Sequence, residues 1–369
     1  SIIMRNYQPN GWVQKKIQSV SLSIKKQPMA LAYNSVLGIE STCDETASAL
    51  VQSGRTILSH VIASQASVHA QFGGVVPELA SRHHIDAIIP VLEQCLGNTK
   101  WQDIDLIAVA NGPGLIGSLL VGIQTAKALA WALDRPLVGV NHVEAHLYAS
   151  MMGVDHLPSL LPSLGIILSG GHTALHRIDG IGHYTLIGQT TDDAIGEAFD
   201  KVAKMVGLGY PGGPCVEERA RCGDPQAFVW RPGTIKGKPF HFSFSGLKTA
   251  VRYAIDALAP PLSDQTVCDL CASFQKTVVD DLITKIRRAG AQFHPKAIFF
   301  GGGVTHNQYL RSCCADQLNG PLFWPPADMC LDNEAMISGL GYHVWHRSYR
   351  DERFSLQPQT RMSGALPSR

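Results

Sequence analysis

The sequence predicts an α/β protein of two like lobes, each a mixed sheet layered with helices, facing one another across a cleft. Three observations carry that expectation. Short apolar runs alternate with longer segments of helical periodicity over most of the chain. The order three strands, helix, strand, glycine turn, helix, strand occurs twice. Glycine-rich turns follow strands at matching places in the two copies.

In the first copy, residues 36–40 read as a buried strand, followed by the polar turn Ser41-Thr42-Cys43-Asp44-Glu45. Residues 47–51 and 57–63 read as the next two strands, joined by Ser53-Gly54-Arg55. A helix starts near Pro77, a good first helical residue, with Leu79, Ile85, Ile88, Leu92 and Leu96 as its apolar stripe. Residues 104–110 form a strand ending in Asn111-Gly112-Pro113-Gly114, then a helix over about 115–133 and a short strand at 136–140.

The second copy has strands at 164–168, 174–178 and 184–187, the first ending in Ser169-Gly170-Gly171-His172-Thr173. Helices cover 193–206 and 264–289. A strand at 297–300 ends in Gly301-Gly302-Gly303, then come a helix at 306–318, a strand at 322–324 and a last helix at 333–346. The expected division is an extension at 1–35, a first lobe at 36–155 completed by the C-terminal helix at about 333–350, and a second lobe at 156–332.

With 369 residues the chain is long enough for two domains, and 45% apolar with 17% charged residues is ordinary for a globular enzyme. Lys plus Arg number 31 against 30 acids, so any nucleic-acid contact must come from a local patch. Nine scattered cysteines suit free thiols in a reducing compartment, which points to the cytoplasm. The apolar runs read as shorter than the roughly 18 residues that span a membrane, so no membrane is expected. Residues 1–39 hold no acid but include Arg5, Lys15, Lys16, Lys25 and Lys26. They read as a disordered extension with Met29 opening the functional segment; a presequence for the mitochondrial matrix is the alternative.

After the strand at 136–140 comes Asn141-His142-Val143-Glu144-Ala145-His146. On a helix, His142 and His146 share one face a turn apart and can clasp a divalent metal. A zinc protease of the usual kind has its glutamate next to the first histidine, whereas Glu144 lies two residues on and points elsewhere. Taken alone, such a pair is as readily two hydrogen-bonding helix histidines.

Backbone N–H groups in glycine turns, and at helix starts behind them, bind phosphate. Gly112-Pro113-Gly114, Ser169-Gly170-Gly171 and Gly301-Gly302-Gly303 all follow strands, which suggests a nucleotide between the lobes. With neither a P-loop nor a G-x-G-x-x-G after a strand, the site would be of the actin and sugar-kinase kind.

Several stretches resemble one family. They are Gly38-Ile39-Glu40-Ser41-Thr42-Cys43-Asp44-Glu45-Thr46, Gly73-Gly74-Val75-Val76-Pro77-Glu78-Leu79-Ala80-Ser81-Arg82, Gly112-Pro113-Gly114-Leu115 and the His142/His146 pair. Ser169-Gly170-Gly171-His172-Thr173, Gly196-Glu197-Ala198-Phe199-Asp200-Lys201 and Tyr210-Pro211-Gly212-Gly213-Pro214 continue the match. Ser243-Phe244-Ser245-Gly246-Leu247-Lys248-Thr249, Gly301-Gly302-Gly303-Val304 and Asp332-Asn333 complete it. Together they resemble the TsaD family of tRNA threonylcarbamoyladenosine transferases. Two small departures are Ser41-Thr42, where Thr-Ser is the expected order, and Asn111, where a small residue is usual.

The resemblance implies a duplicated actin-like fold of the sugar-kinase and heat-shock-protein 70 superfamily. It implies transfer of threonylcarbamoyl from threonylcarbamoyl-AMP to N6 of adenosine 37 in tRNAs reading codons that begin with A. It implies a metal, iron first and zinc second, held by His142, His146 and Asp332. Ile167, Leu168, Ser169, Gly170 and Gly171 would line the donor's phosphate and threonyl portion. Asp200 would meet the ribose hydroxyls, Gly213 the nucleoside backbone and Asn307 the adenine side. Asp44 and Glu45, on the first turn, would assist proton transfer or tune the metal. Bacterial relatives work with TsaB and TsaE, and organellar ones act as homodimers. Two other classes stay open at this stage: a metal-dependent peptidase and a non-catalytic actin-like ATP-binding protein.

Between Asp224 and Asp256 there is no acid, while Arg231, Lys236, Lys238, Lys248 and Arg252 are interleaved with Trp230, Phe240, Phe242, Phe244 and Tyr253. Basic residues among aromatics suit RNA. Most of these aromatics are expected in the core, and Arg231, Lys236 and Lys238 are assigned to hold tRNA.

Overall fold

The computed structural model describes residues 33–258, 261–326, 334–360 and 366. The N-terminal extension, Asp332 and Asn333 lie outside the described residues.

Among the described residues, ten strands form two five-stranded sheets. The first comprises β1 (Ser35–Glu40), β2 (Glu45–Gln52), β3 (Thr56–Ser64), β4 (Leu106–Gly112) and β5 (Leu137–Asn141). The second comprises β6 (Ser163–Leu168), β7 (Thr173–Gly180), β8 (His183–Gln189), β9 (Ile298–Gly301) and β10 (Leu322–Phe323). The first sheet runs β3-β2-β1-β4-β5 and the second β8-β7-β6-β9-β10, the same order counted from each sheet's first strand. In each, the first strand pairs antiparallel with the second and parallel with the fourth. This is the duplicated actin-like fold.

The described helices are α1 (Ala66–Ala70), α2 (Pro77–Leu96), α3 (Ile116–Leu133), α4 (His142–Ala149), α5 (Ile195–Met205), α6 (Gly212–Ala220), α7 (Ser245–Ala257), α8 (Asp264–Phe293), α9 (Gln308–Gln317) and α10 (Glu334–Ser348). The central strands are buried on both faces, as strands sandwiched by helices must be. Val36, Leu37 and Ile39 of β1 are fully buried, each worth about 2 kcal/mol of transfer free energy. α10 lies across the first sheet so closely that a Cβ on Gly38 would strike the Ser338 side chain. A core made of α4, α10 and residues of both sheets, including Val138, Ile167 and Phe299, joins the two halves.

Three helices escaped the sequence reading. α1 is a single short turn. α6 opens with Gly212-Gly213-Pro214, a loop signal elsewhere; at a helix start Pro214 gives up an N–H that has no intrahelical acceptor. α7 fell inside the basic, aromatic stretch, where periodicity was set aside for charge. In α2 the expected stripe is corrected: Ile85 is 62% exposed and His84 is fully buried beside Ala80 and Ile88. His84 tolerates burial because both ring nitrogens are bonded, Nδ1 with Thr46 Oγ1 at 2.8 Å and Nε2 with the Cys43 carbonyl at 3.0 Å.

The expectation that every apolar run falls short of membrane-spanning length is corrected. α3 has 18 residues and is long and apolar enough to cross a membrane. Here it covers the first sheet, burying Leu119, Ile123, Ala126 and Ala130. Only a third of it is buried, and Ile116, Leu120 and Trp131 are exposed.

Candidate functional site

A cavity of about 690 Å³ opens between the two sheets. Its wall gathers Asp44, His142, His146, Ser169, Gly170, Gly171 and Asp200 from the sequence-derived set, together with Thr42, Cys43, Pro113, Gly114, His172, Glu197 and Tyr210.

The histidine helix is placed by its cap. Asn141 Oδ1 accepts from the N–H groups of Val143 (2.9 Å) and Glu144 (3.0 Å), satisfying two donors that a helix start leaves open. His142 is then the first helical residue, and His146 follows one turn later. Their rings lie 4.6 Å apart, centroid to centroid, and both are buried. On the second-sheet side, a Cβ on Gly301 would sit 2.3 Å from the His146 carbonyl. Glycine there lets the end of β9 press on the histidine helix. Gly301 and Gly302 pack against neighbouring backbone, and of the three glycine turns those at 112–114 and 169–171 line this cavity.

His142 Nδ1 lies 2.9 Å from Glu40 Oε2, a carboxylate with no solvent exposure. Glu40 Oε1 also accepts the Thr42 N–H at 2.6 Å. A carboxylate behind Nδ1 fixes the proton there and leaves Nε2 with its lone pair, the arrangement that metal-binding imidazoles use. The two imidazoles therefore fit a divalent metal. Among the described residues no group of three such donors is assembled, and Asp332 is outside them.

Asp44 sits on a turn held from several sides. His84 donates to the Cys43 carbonyl, Leu115 N–H donates to Thr42 O at 2.9 Å, and Gln65 N–H donates to Asp44 O at 3.0 Å. Glu45 does not line the cavity; it belongs to β2 and accepts from Ser64 Oγ at 3.3 Å.

In the glycine turn, Ser169 N–H is spent on His172 O, while a Cβ on Gly170 or Gly171 would meet nothing within 4 Å. These two peptides are open to a ligand. Gly196, at the start of α5, is pressed on the turn, where a Cβ would lie 2.8 Å from Gly170 Cα. Asp200 accepts from Gly212 N–H at 2.7 Å, and burial raises its carboxyl above the usual range against the Gly212 and Gly213 N–H groups. Burial first, then the Asp44 and Asp200 carboxylates, push the Tyr210 phenol up, so it stays a hydrogen-bond donor.

Besides Glu45, four residues expected to bind the donor are not on this cavity's wall. Ile167 and Leu168 are fully buried in β6, because a strand between two others and two helix layers turns its side chains into the core. Asn307 caps α9, accepting from Leu310 N–H at 2.8 Å and donating to Gln275 Oε1 at 2.8 Å. Gly213 lies in the first turn of α6, its N–H directed at Asp200. Of the basic residues, Lys238 lines a different cavity, and Arg231 and Lys236 are exposed. Phe240, Phe242 and Phe244 are core, as expected. Sequence reasoning gave no role to Glu40, Thr42 or Tyr210, although each lay inside a quoted motif.

Glu144 faces away from the cavity, toward Tyr184 and Arg347, and burial pushes its carboxyl up to about 7. Glu144 is therefore not placed to act as a protease base on the histidine side.

The TsaD model, tRNA N6-adenosine threonylcarbamoyltransferase, matches residues 56–339. A protein of that name from Protochlamydia amoebophila is 54% identical over 88% of this chain and 97% of its own. One from Symbiobacterium thermophilum is 46% identical over 86% of this chain and 93% of its own. Among solved structures, full-length HypF in its phosphate- and nucleotide-bound form superposes with a TM-score of 0.57 at 14% identity, covering 86% of this chain and 47% of HypF. That likeness concerns the fold alone, and this chain spans about half of HypF. The chain belongs to the tRNA N6-adenosine threonylcarbamoyltransferase family.

Proposed function

We propose that this protein transfers the threonylcarbamoyl group from threonylcarbamoyl-AMP to N6 of adenosine 37 in tRNAs reading codons that begin with A. The observation that carries the reading is the convergence of Asp44, His142, His146, the open Gly170-Gly171 peptides and Asp200 on one cavity in a member of this family.

The donor is a mixed anhydride of a carbamic acid and AMP, so its leaving group is good, while the exocyclic amine is a poor nucleophile. N6 attacks the carbamoyl carbon, the C–O bond to the phosphate breaks, AMP leaves, and N6 gives up a proton. Orientation and charge stabilisation are what such a reaction needs from its enzyme. The Gly170 and Gly171 N–H groups hold the donor's phosphate or carbonyl oxygens. Asp200 accepts from the ribose hydroxyls. Asp44 takes the N6 proton. Tyr210, a protonated phenol beside both carboxylates, donates to the donor. His142, His146 and Asp332 would hold a divalent metal, iron before zinc, which would supply Lewis acidity when bound.

The test is to incubate the protein with threonine, bicarbonate, ATP, a donor-making synthase and unmodified tRNA, then digest and analyse nucleosides by mass spectrometry. Modified adenosine is expected with the wild type and lost in His142→Ala. No modified adenosine under any partner combination sinks the reading.

For partners we propose TsaB and TsaE in a bacterial complex, or a second copy if the protein is organellar. Exposed Ile85 and Ile89 on α2 and Ile116 and Leu120 on α3 support a protein partner on the first lobe. The described cysteines are free, in keeping with a cytoplasmic protein.

A further inference from the structure

A second cavity, of about 910 Å³, lies in the second lobe and shares no lining residue with the first. One wall is a face of α8 carrying Lys276, Asp280, Thr284 and Arg288 at four-residue spacing. The other is the loop at 225–241, which brings Phe228, Trp230, Lys238 and His241. Phe228 stacks on Trp230 with ring centroids 5.4 Å apart and planes within 10°. Both rings are only partly buried.

The charges around this cavity do not balance. Asp280 is bound to Lys276 at 2.6 Å, and Asp281 is bound to Lys285. Lys238 and Arg288 have no acidic partner among the described residues, and neither do Arg231 and Lys236 on the same loop. Burial, and then Lys238, hold the His241 ring below its usual pKa, so it is neutral at pH 7. An aromatic platform beside uncompensated cations suits a ligand that joins a flat ring to phosphate. The volume is that of a small-molecule site rather than a surface dent.

We infer that this cavity takes one splayed nucleotide of the bound tRNA, its base extending the Phe228–Trp230 stack and its phosphates meeting Lys238 and Arg288. The inference rests on the transferase reading, which supplies the RNA. It gives Lys238 a specific place and treats Arg231 and Lys236 as cations flanking the strand.

The experiment measures binding of an unmodified tRNA transcript against salt for the wild type, Trp230→Ala, Trp230→Phe and Arg288→Glu, with thermal unfolding as the folding control. Trp230→Ala is expected to weaken binding about ten-fold, within the range that one stacked base supplies, without altering the salt slope. Trp230→Phe should retain most of the affinity. Arg288→Glu should weaken binding and lower the log–log salt slope by about 1. In the nucleoside assay, Trp230→Ala should raise KM for tRNA and keep kcat. A folded Trp230→Ala protein that binds tRNA like the wild type overturns the inference while leaving the transferase reading intact. A wild type that modifies no adenosine overturns the reading itself.

Discussion

Glu40 and His142, 102 residues apart in sequence, meet at 2.9 Å through Oε2 and Nδ1, both buried. Glu40 ends β1 and His142 begins the helix after β5, so the pair couples the first strand of the fold to the candidate metal site.

Glu40→Gln should therefore lower metal affinity about 10- to 100-fold, because the outer carboxylate orients the imidazole and raises its basicity. Calorimetric titration of metal-stripped protein with Fe(II) or Zn(II) checks this, with His142→Ala as the limiting case. Unchanged affinity in a folded Glu40→Gln protein would remove Glu40 from the site.

Gly170 and Gly196 should respond differently to the same added methyl group. Gly170→Ala meets open space, so the unfolding temperature should hold while AMP binding weakens, because the Cβ enters the ligand's volume. Gly196→Ala collides with the Gly170 backbone at 2.8 Å and should lower both, by about 1–3 kcal/mol in stability. Equal AMP affinity in wild type and Gly170→Ala would mean that the turn does not hold the nucleotide.

His176, on β7, is buried with no partner for either ring nitrogen, and burial pushes its pKa down to about 4. Below about 6.5 the unfolded chain takes a proton that the folded protein refuses, so this residue costs stability as pH falls from 6.5 to 4. The full shift is worth about 3 kcal/mol. His176→Leu should be neutral or stabilising at pH 7, with an advantage over wild type that grows by about that amount at pH 4. Urea unfolding at several pH values measures it; parallel pH profiles for the two proteins would refute the assignment.

Ile89→Asp with Leu120→Asp places charge on the exposed apolar faces of α2 and α3. Both residues face solvent, so the unfolding temperature should change little, while the association proposed above, with TsaB or with a second copy, should be lost. Size-exclusion chromatography with light scattering reads the outcome, and unchanged assembly would locate the partner elsewhere.

Much of the site was legible because its residues sit at strand ends and in glycine turns, where local pattern and chemistry coincide. Asp44, His142, His146, Ser169, Gly170, Gly171 and Asp200 all reach one cavity. Asn307 caps a helix, a role that its place after a glycine turn does not reveal because the cap is closed by a residue three positions on. His84 was overlooked because its neighbour Ile85 fits an apolar stripe better, and only its partners, Thr46, Cys43 and Gln65, justify burying an imidazole.

The sequence by itself determined the duplicated order of elements, the helical spacing of the two histidines and the family to which the chain belongs. Those follow from local periodicity and from motifs that are contiguous in the chain. The tertiary structure alone decided which glycines face open space, which carboxylate stands behind His142, and that Trp230 and Arg288 share a second cavity. Each of these is a contact between segments far apart in sequence. It is set by how the layers close on one another, which local pattern does not encode.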